Sequence, residues 1–243
     1  MDTPKGTLYG VSVGPGDPEL LTLKAVRIIQ EAHVVAIPSS GHGGSTAYAI
    51  AKEYVAHKEL LHCHVPMSSD PSLAQDAYHQ IANSICELLD EGKSVAYLCL
   101  GDVGIYSSYM HVHDLVRQSG HNTRIVPGVT SFCASAASLG ISLCEGQEHL
   151  VVAPATSEQL DDLLDLPGTK VLMKPGKDLR ELRQKLSEHG TLDHASMVED
   201  CGLPSQRMHP SLADAPSKAG YFCTIIVKDG TATGASHIHS IAP

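Results

Sequence analysis

The chain of 243 residues has no apolar run that approaches the roughly 20 residues required to span a membrane. Its first residues, MDTPKGTLYG, contain neither a basic leader nor the apolar segment of a secretory signal. Low-complexity segments and long runs of one charge are also missing, which argues against disorder. We therefore predict a globular, cytoplasmic protein that does not associate with membranes.

Basic residues are scarce: 17 lysines and arginines stand against 27 aspartates and glutamates, a formal net charge of -10. This balance argues against a general nucleic-acid-binding role, which requires a positive surface. The segment KPGKDLRELRQK, from Lys174 to Lys185, is the best candidate for a local basic patch. Because acidic residues are interleaved there, the segment fits either such a patch or a solvated helix face with paired charges.

The chain also lacks the short motifs of several common site types. None of its seven cysteines lies in a CxxC pair, and the odd, scattered set fits reduced and mostly buried thiols. The phosphate-binding patterns GxGxxG and GxxxxGK[ST] are both missing, which disfavours a dinucleotide or P-loop site.

Histidine, by contrast, is abundant, and HxH pairs begin at His62, His111 and His237. Alternate histidines on a strand share one face and can bind a metal ion, whereas on a helix they diverge. His111 falls on a predicted helix, which weakens the case for a metal. We therefore predict no structural metal site.

Apolar segments of strand length alternate with amphipathic segments of helix length, a pattern typical of parallel α/β proteins. The first series ends at Ser119-Gly120, a helix stop signal, and a new series starts with a strand at Thr123. The sequence thus predicts two α/β domains with mostly parallel sheets, at residues 1–120 and 121–243. The first domain contains GPGD and GDVGIY; the second contains PGVTS, VLMK and MVEDCG.

Three loops, in the segments TLYGVSVGPGD, LCLGDVGIY and RIVPGVTSF, carry most of the functional signal. Each follows the carboxyl end of a predicted strand, where open α/β sheets bind ligands. Gly14 and Gly16 permit close approach of a polar group, or simply make a tight turn. Asp102 fits a ligand contact or a helix cap, and Tyr106 fits a cation contact or packing. Together the loops predict a cofactor cleft.

In this order, the motifs resemble those of the tetrapyrrole methyltransferase family over nearly the whole chain. YGVSVGPGDPELLTLKAVRIIQEAHVV is similar to the family's opening strand, loop and first helix, LCLGDVGIYSS to its Gly-Asp motif, and IVPGVTSFCASAASLGISL to its third motif. VLMK and MVEDCGLPSQRM resemble two later cofactor-contacting segments. The segments most similar to the branch acting on C20 of precorrin-2 are GDVGIYSSYMHVHDL, ISLCEGQEHLVVAPA, VLMKPGKDL and YFCTIIV.

The resemblance implies a homodimer that binds S-adenosyl-L-methionine in a cleft between the two domains. It implies methylation of C20 of precorrin-2 or of cobalt-factor II in cobalamin biosynthesis. Asp102 is the candidate catalytic base for the departing proton and is equally suited to holding the cofactor. Val103 stands where many members carry proline, and Thr130 where this branch often has serine. The residues expected to contact the cofactor, with Tyr106 added for its ring, are Pro15, Gly101, Asp102, Ile105, Tyr106, Thr130, Ser131, Met173 and Cys201.

Other activities fit some of the same features. One is a methyltransferase of this family acting on another ring carbon or another acceptor; another is a non-catalytic tetrapyrrole carrier, although a carrier has no reason to keep the cofactor loops. A nicotinamide oxidoreductase is disfavoured by the missing fingerprint. The carboxylates of a tetrapyrrole require basic partners, and Lys174, Arg180 and Arg207 are candidates that also fit surface salt bridges.

Overall fold

The computed structural model describes residues 6–39, 44–66 and 70–229, and the chain divides into two compact units, Met1–Thr130 and Ser131–Pro243. Each unit is built around a five-stranded sheet with accompanying helices. The α/β class predicted from the sequence is confirmed. Within the described ranges, no helix combines the length and the apolar character needed to cross a membrane.

The sheet of the first unit is parallel throughout, with the strand order β3-β2-β4-β1-β5. Its strands are β1 (Thr7–Ser12), β2 (Val34–Ser39), β3 (Glu59–His64), β4 (Val95–Cys99) and β5 (Asn122–Val126). Its helices are α1 (Leu23–Glu31), α2 (Thr46–Ala51), α3 (Pro71–Asp90) and α4 (Tyr109–Gln118). Short 3₁₀ turns at Pro18–Leu20 and Lys52–Tyr54 complete this unit.

Helices cover both faces of this sheet, which explains its apolar central strand. All five residues of β4 are buried, as expected for a parallel strand between two helical layers. The buried side chains of α3 and α4 join one core cluster, and those of α1 and α2 join another on the opposite face. The helices begin at recognisable signals: the Thr22 hydroxyl caps α1, and Asp70 followed by a proline starts α3.

The chain leaves the neighbouring strands β1 and β4 in opposite directions. After β1 the chain passes to β2, on the far side of β4, whereas after β4 it crosses to β5 on the far side of β1. A reversal of this kind leaves a crevice above the carboxyl ends of the two strands, where open α/β sheets bind their ligands. The loops that follow β1 and β4 are two of the three that the sequence singled out.

The first unit is longer than the sequence predicted. β5 pairs in parallel with β1, with Thr7 opposite Asn122 and Val11 opposite Val126. The strand expected to open the second domain therefore belongs to the first sheet, and the first unit ends at Thr130 rather than near Gly120. The PGVT segment consequently lies in the first unit.

The second unit has a mixed sheet with the order β6-β7-β10-β8-β9. Its strands are β6 (Leu150–Pro154), β7 (Thr169–Met173), β8 (Ala195–Glu199), β9 (Arg207–His209) and β10 (Cys223–Val227). Among the described strands of this sheet, β6 and β7 alone pair in parallel; β10 is antiparallel to β7 and β8, and β8 to β9. The predicted parallel character thus holds for the first sheet and not for this one. The helices are α5 (Ser131–Leu139), α6 (Leu160–Leu164) and α7 (Arg180–Glu188), followed by a 3₁₀ turn at Leu192–His194.

The histidine pairs fall in different environments. His62 and His64 are exposed on the edge strand β3, with the buried Cys63 between them. On α4, His111 stacks on the ring of Tyr78, whereas His113 is buried between Tyr109 and the hydroxyl of Thr123. Burial lowers the pKa of His113 because it disfavours the charged imidazole.

The remaining pair, which begins at His237, lies outside the described residues. Within the part of the chain that the structure describes, no group of three or more histidine, cysteine, aspartate or glutamate side chains is placed to hold a metal ion. Of the seven cysteines, four are buried, Cys86 is half-buried, and Cys133 and Cys144 are exposed. Burial raises the pKa of Cys63 to about 12, which makes this thiol unreactive at neutral pH.

A charge network between α6 and α7 makes stability pH-dependent. His189 Nδ1 lies 2.8 Å from an oxygen of Asp165, and its Nε2 lies 3.3 Å from Asp161, which also pairs with Lys185. The hydrogen bond to Asp165, reinforced by Asp161, raises the pKa of His189 above its ordinary 6.5. Its stabilising contribution is therefore complete below pH 6.5 and is lost as the pH rises through the higher pKa of the folded state.

We accordingly expect His189→Gln to lower the free energy of unfolding by up to about 1 kcal/mol at pH 5.5 and by much less at pH 8.5. Urea denaturation at both pH values measures the difference. His194→Gln is the matched control, since His194 is exposed and has no ion pair among the described residues. An equal loss at both pH values would contradict the assignment.

Candidate functional site

Two glycines join the loops that follow β1 and β4. Gly101 N–H donates to the carbonyl of Gly14 at 2.8 Å, and Gly14 N–H donates back to the carbonyl of Gly101 at 3.2 Å. Both have positive φ angles, 77° for Gly14 and 71° for Gly101, in the left-handed region that glycine adopts without strain. This bridge extends the pairing of the two strands into the crevice above them.

The carboxylate of Asp102 connects the β4 loop with the third loop. One oxygen, Oδ1, accepts from Gly104 N–H at 2.8 Å and thereby shapes the turn after β4. The other, Oδ2, accepts from Gly128 N–H, also at 2.8 Å. Hydrogen bonds to a charged acceptor are stronger than neutral ones. Asp102 thus holds together loops that are distant in sequence.

Ser12, the last residue of β1, contacts both the β4 loop and the carboxylate of Asp102. Its side chain is fully buried. The hydroxyl oxygen accepts from Val103 N–H at 2.9 Å and lies 3.5 Å from Asp102 Oδ2, at the limit of a weak hydrogen bond. Gly128 packs directly on it: a side chain at Gly128 would place its Cβ 2.5 Å from the Cβ of Ser12. Only glycine fits there without displacing one of the loops.

Removing the Ser12 hydroxyl is expected to loosen the β4 loop. Ser12→Ala leaves the buried Val103 N–H without its acceptor, at a cost of about 1–3 kcal/mol. Hydrogen–deuterium exchange should become faster at Val103 and its neighbours, and the melting temperature should fall. Ser119→Ala, at an exposed serine of the same unit, is the control. Unchanged exchange at Val103 would contradict this role of Ser12.

The structure places the predicted site residues in both units. Six belong to the first unit, and among them Gly101 and Asp102 are joined directly to Gly14 and Gly128. Of the other four, Tyr106 is exposed and has a positive φ of 49°, an uncommon conformation for a residue with a side chain. Pro15 is buried, and Ile105 and Thr130 are half-buried.

The three predicted residues of the second unit are Ser131, Met173 and Cys201. Ser131 is the first residue of α5, whereas Met173 and Cys201 lie at one edge of the sheet. Since β7 and β8 flank β10 and are both antiparallel to it, their carboxyl ends point to the same edge. The residue after each strand is in the left-handed region, with φ of 54° at Lys174 and 50° at Asp200. The chain therefore turns sharply at both places.

A buried acidic residue at this edge was missed from the sequence. Glu199 is 0% exposed, and its carboxylate accepts from Gly220 N–H at 2.6 Å. Arg207 Nη2 lies 3.1 Å from Oε1, and His209 Nε2 lies 3.2 Å from Oε2. Burial by itself raises the pKa of Glu199, but the Gly220 N–H and the two basic side chains outweigh it, so the pKa is lowered. A single acid inside the apolar strand ASMVE was the available signal.

The basic segment between Lys174 and Lys185 is mostly paired. Arg180 makes a bidentate contact with Asp178, and Lys185 pairs with Asp161. Arg183 donates to the carbonyls of the loop at Ala215. Of the two alternatives from the sequence, the structure has the helix face with paired charges at α7.

Residues 7–216 match the family of tetrapyrrole (corrin/porphyrin) methylases. The chain belongs to this family. The match covers most of both units and confirms the family predicted from the three loops and the two later segments.

Two curated proteins of related sequence are similar to this chain over most of its length. Cobalt-precorrin-2 C(20)-methyltransferase of Salmonella typhimurium is 31% identical over 232 residues, covering 91% of this chain and 96% of that enzyme. Cobalamin biosynthesis protein CobIJ of Mycobacterium tuberculosis is 36% identical over 237 residues, covering 93% of this chain. The chain spans only 46% of CobIJ, about half its length.

A solved structure shows the same fold. Uroporphyrin-III C-methyl transferase from Thermus thermophilus, complexed with S-adenyl homocysteine, superposes with a TM-score of 0.65 at 22% identity. The alignment covers 92% of this chain and 98% of that chain. At this identity the likeness shows the fold, and the two-sheet α/β architecture is therefore that of the family.

Proposed function

We propose that the chain is an S-adenosyl-L-methionine-dependent methyltransferase that methylates C20 of precorrin-2 or of cobalt-factor II in cobalamin biosynthesis. The observation that carries this proposal is the 31% identity to the C(20)-methyltransferase of Salmonella, which extends over 91% of this chain. Because the match covers 96% of that enzyme as well, it is not confined to one shared motif. The family membership of residues 7–216 supports the methyltransferase class.

The loops of the first unit suit a ligand with a cationic sulfur and an amino acid tail. Apart from Gly101 and its two neighbours in the chain, no described residue has an atom within 4 Å of the point where a side chain of Gly101 would begin, so there is open space beside the β4 loop. The half-buried Asp102 follows directly, and a carboxylate there attracts sulfonium or ammonium groups. When bound, S-adenosylmethionine supplies an electrophilic methyl group. We assign its binding to Pro15, Gly101, Asp102, Ile105, Tyr106, Thr130, Ser131, Met173 and Cys201.

The task of the protein is then to position the acceptor, because methyl transfer from sulfur to an electron-rich carbon needs no protein nucleophile. Holding the two reactants in line and excluding water can supply ~7–11 kcal/mol of the barrier. Asp102 already accepts backbone N–H groups on both oxygens. We therefore assign Asp102 to holding the loops in place and not to removing the C20 proton.

The test is to incubate the full chain with S-adenosylmethionine and, separately, with precorrin-2 and cobalt-factor II. We expect one ring form to gain one methyl group at C20, with one S-adenosylhomocysteine formed per methyl group transferred. Mass spectrometry and carbon NMR locate the methyl group. Methylation of another carbon would retain the methyltransferase class and overturn the C20 assignment. No binding of S-adenosylmethionine would overturn the methyltransferase proposal itself.

We further propose that two copies of the chain form a homodimer, as the resemblance to the family implies. Light scattering of the purified chain over a range of concentrations measures its mass directly. A mass of one chain at all concentrations would contradict the dimer without affecting the assignment of activity.

A further inference from the structure

Arg207 and Glu199 form an ion pair at the edge of the second sheet, and the two side chains differ in their exposure to solvent. Glu199 is 0% exposed, whereas the side chain of Arg207 is 60% exposed. A buried carboxylate requires compensating partners, and Glu199 has three: Gly220 N–H, His209 and Arg207. The buried carboxylate therefore anchors one nitrogen of the exposed Arg207 guanidinium.

Most of the donor capacity of Arg207 remains unused. A guanidinium carries five N–H donors, and within the described ranges only Nη2 of Arg207 has a hydrogen-bond partner. Arg180 provides a contrast on the same unit, because its Nε and Nη2 both bind the carboxylate of Asp178. Of these two exposed arginines, Arg207 alone presents a free planar fork of the kind that recognises carboxylates.

Arg207 lies at the same edge of the second sheet as the predicted cofactor residues Met173 and Cys201. Arg207, in β9, lies opposite Glu199 at the end of β8, and Cys201 follows two residues after Glu199. Met173 ends β7, which is three strands away along the same edge. Neighbouring strands are ~4.8 Å apart, so Arg207 and Met173 are separated by roughly 14 Å. A tetrapyrrole ring with its acetate and propionate arms is large enough to extend over this distance.

Two lysines lie in the loops beside Arg207, in a chain whose net charge is -10. Asp178 and Lys218 pair their backbones in a bridge, and Ala219 N–H donates to the carbonyl of Lys177. These contacts join the segment after β7 to the segment before β10, where Gly220 binds Glu199. Lys177 and Lys218, both exposed, are thereby brought close to the edge that carries Arg207.

We propose that Arg207, oriented by Glu199, binds a carboxylate of the tetrapyrrole substrate. This inference rests on the proposed function, since it identifies the substrate contact of that same activity. Arg207 is a substrate-binding residue in this assignment, and Glu199 is a positioning residue that acts through it. In this assignment Arg207 supplies the local positive charge that a polyanionic substrate requires on a protein whose net charge is negative.

The experiment compares Arg207→Gln with the matched control Arg180→Gln in the full chain. For Arg207→Gln we expect the KM for the tetrapyrrole to rise about 10- to 100-fold, as expected for the loss of a charge-assisted contact. The KM for S-adenosylmethionine should stay within about twofold. Arg180→Gln should leave both constants within about twofold, and Arg207→Lys should recover part of the tetrapyrrole affinity.

A binding measurement separates substrate contact from a purely structural role. Fluorescence titration with sirohydrochlorin and with its methyl ester should show that Arg207→Gln weakens binding of the acid and leaves binding of the ester unchanged. Equal weakening of both, or equal effects of the two arginine variants on the tetrapyrrole KM, would overturn the inference. A wild-type chain that methylates no tetrapyrrole would instead overturn the proposed function.

Discussion

Gly128→Ala is expected to reduce the affinity for S-adenosylhomocysteine by at least about tenfold. The new methyl group would lie 2.5 Å from Ser12 Cβ and 3.3 Å from the carbonyl oxygen of Gly101. Ser12 is fully buried at the end of a central strand and has no room to retreat. The loop at Gly128 must therefore move, which breaks its 2.8 Å hydrogen bond to Asp102. Overpacking of this kind costs about 1–3 kcal/mol before that bond is counted.

Calorimetric titration with S-adenosylhomocysteine measures the loss, and a variant at the contact residue provides the control. In a Ser12→Gly background the obstructing Cβ is absent, so Gly128→Ala should cost clearly less there than in the wild-type chain. The wild-type chain, the two single variants and the double variant form a double-mutant cycle that isolates the contact between the two residues. The same loss in both backgrounds would show that the packing of Gly128 on Ser12 is not the reason for the effect.

Strands and loops could be predicted from local sequence, but the assignment of strands to sheets could not. The apolar run from Val95 to Leu100 predicts a buried strand, and the structure has β4 at Val95–Cys99. The run at Asn122–Val126 was equally recognisable as a strand. Its partner, however, is β1 at the other end of the unit, and nothing in the local pattern specifies a partner so distant in sequence. The domain boundary was consequently placed too early in the chain.

The antiparallel pairing of strands in the second sheet could have been predicted from the sequence. Parallel neighbours require a crossover connection of a dozen or more residues, usually a helix. No helix lies between β8 and β10; that segment contains the short strand β9, and all three pair in antiparallel fashion. The absence of a helix-length amphipathic segment before YFCTIIV was therefore a usable signal.

The start of α4 shows how a side chain can override a helical pattern. The sequence pattern from Ile105 to Gln118 is typical of a helix, but α4 begins at Tyr109. Asp102 Oδ1 binds Gly104 N–H and its carbonyl accepts from Ile105 N–H, so the chain is held in a turn. The positive φ of 49° at Tyr106 then interrupts any continuous helix.

Some residues of the candidate site could be predicted from the sequence, because their residue types are unusual at the end of a strand, whereas others could not. Gly101 and Asp102 were evident because a glycine and an acid follow an apolar strand. Ser12 was missed because a single hydroxyl inside β1 is compatible with any buried strand. Its importance arises from Val103 N–H and from Gly128, contacts that only the folded chain creates.

Replacement of Asp102 should also have a large effect on cofactor binding. Each of its oxygens accepts a backbone N–H at 2.8 Å, from Gly104 and from Gly128. In Asp102→Asn one of the two acceptors becomes an NH₂ group that faces an N–H donor, and the negative charge is lost. With about 1.5–3 kcal/mol for each charge-assisted bond, we expect the affinity for S-adenosylhomocysteine to fall at least about tenfold, with kcat reduced as well.

The same variant tests the assignment of Asp102 to holding the loops against the alternative that it removes the C20 proton. A residue that holds the cofactor loops affects the binding of S-adenosylhomocysteine and kcat together, whereas a base for the C20 proton affects kcat alone. Asp114→Asn is the control, because Asp114 is a half-buried acid of the same unit that pairs with Arg117. If Asp102→Asn bound S-adenosylhomocysteine as tightly as the wild-type chain while kcat collapsed, the positioning role would be wrong and Asp102 would be the base.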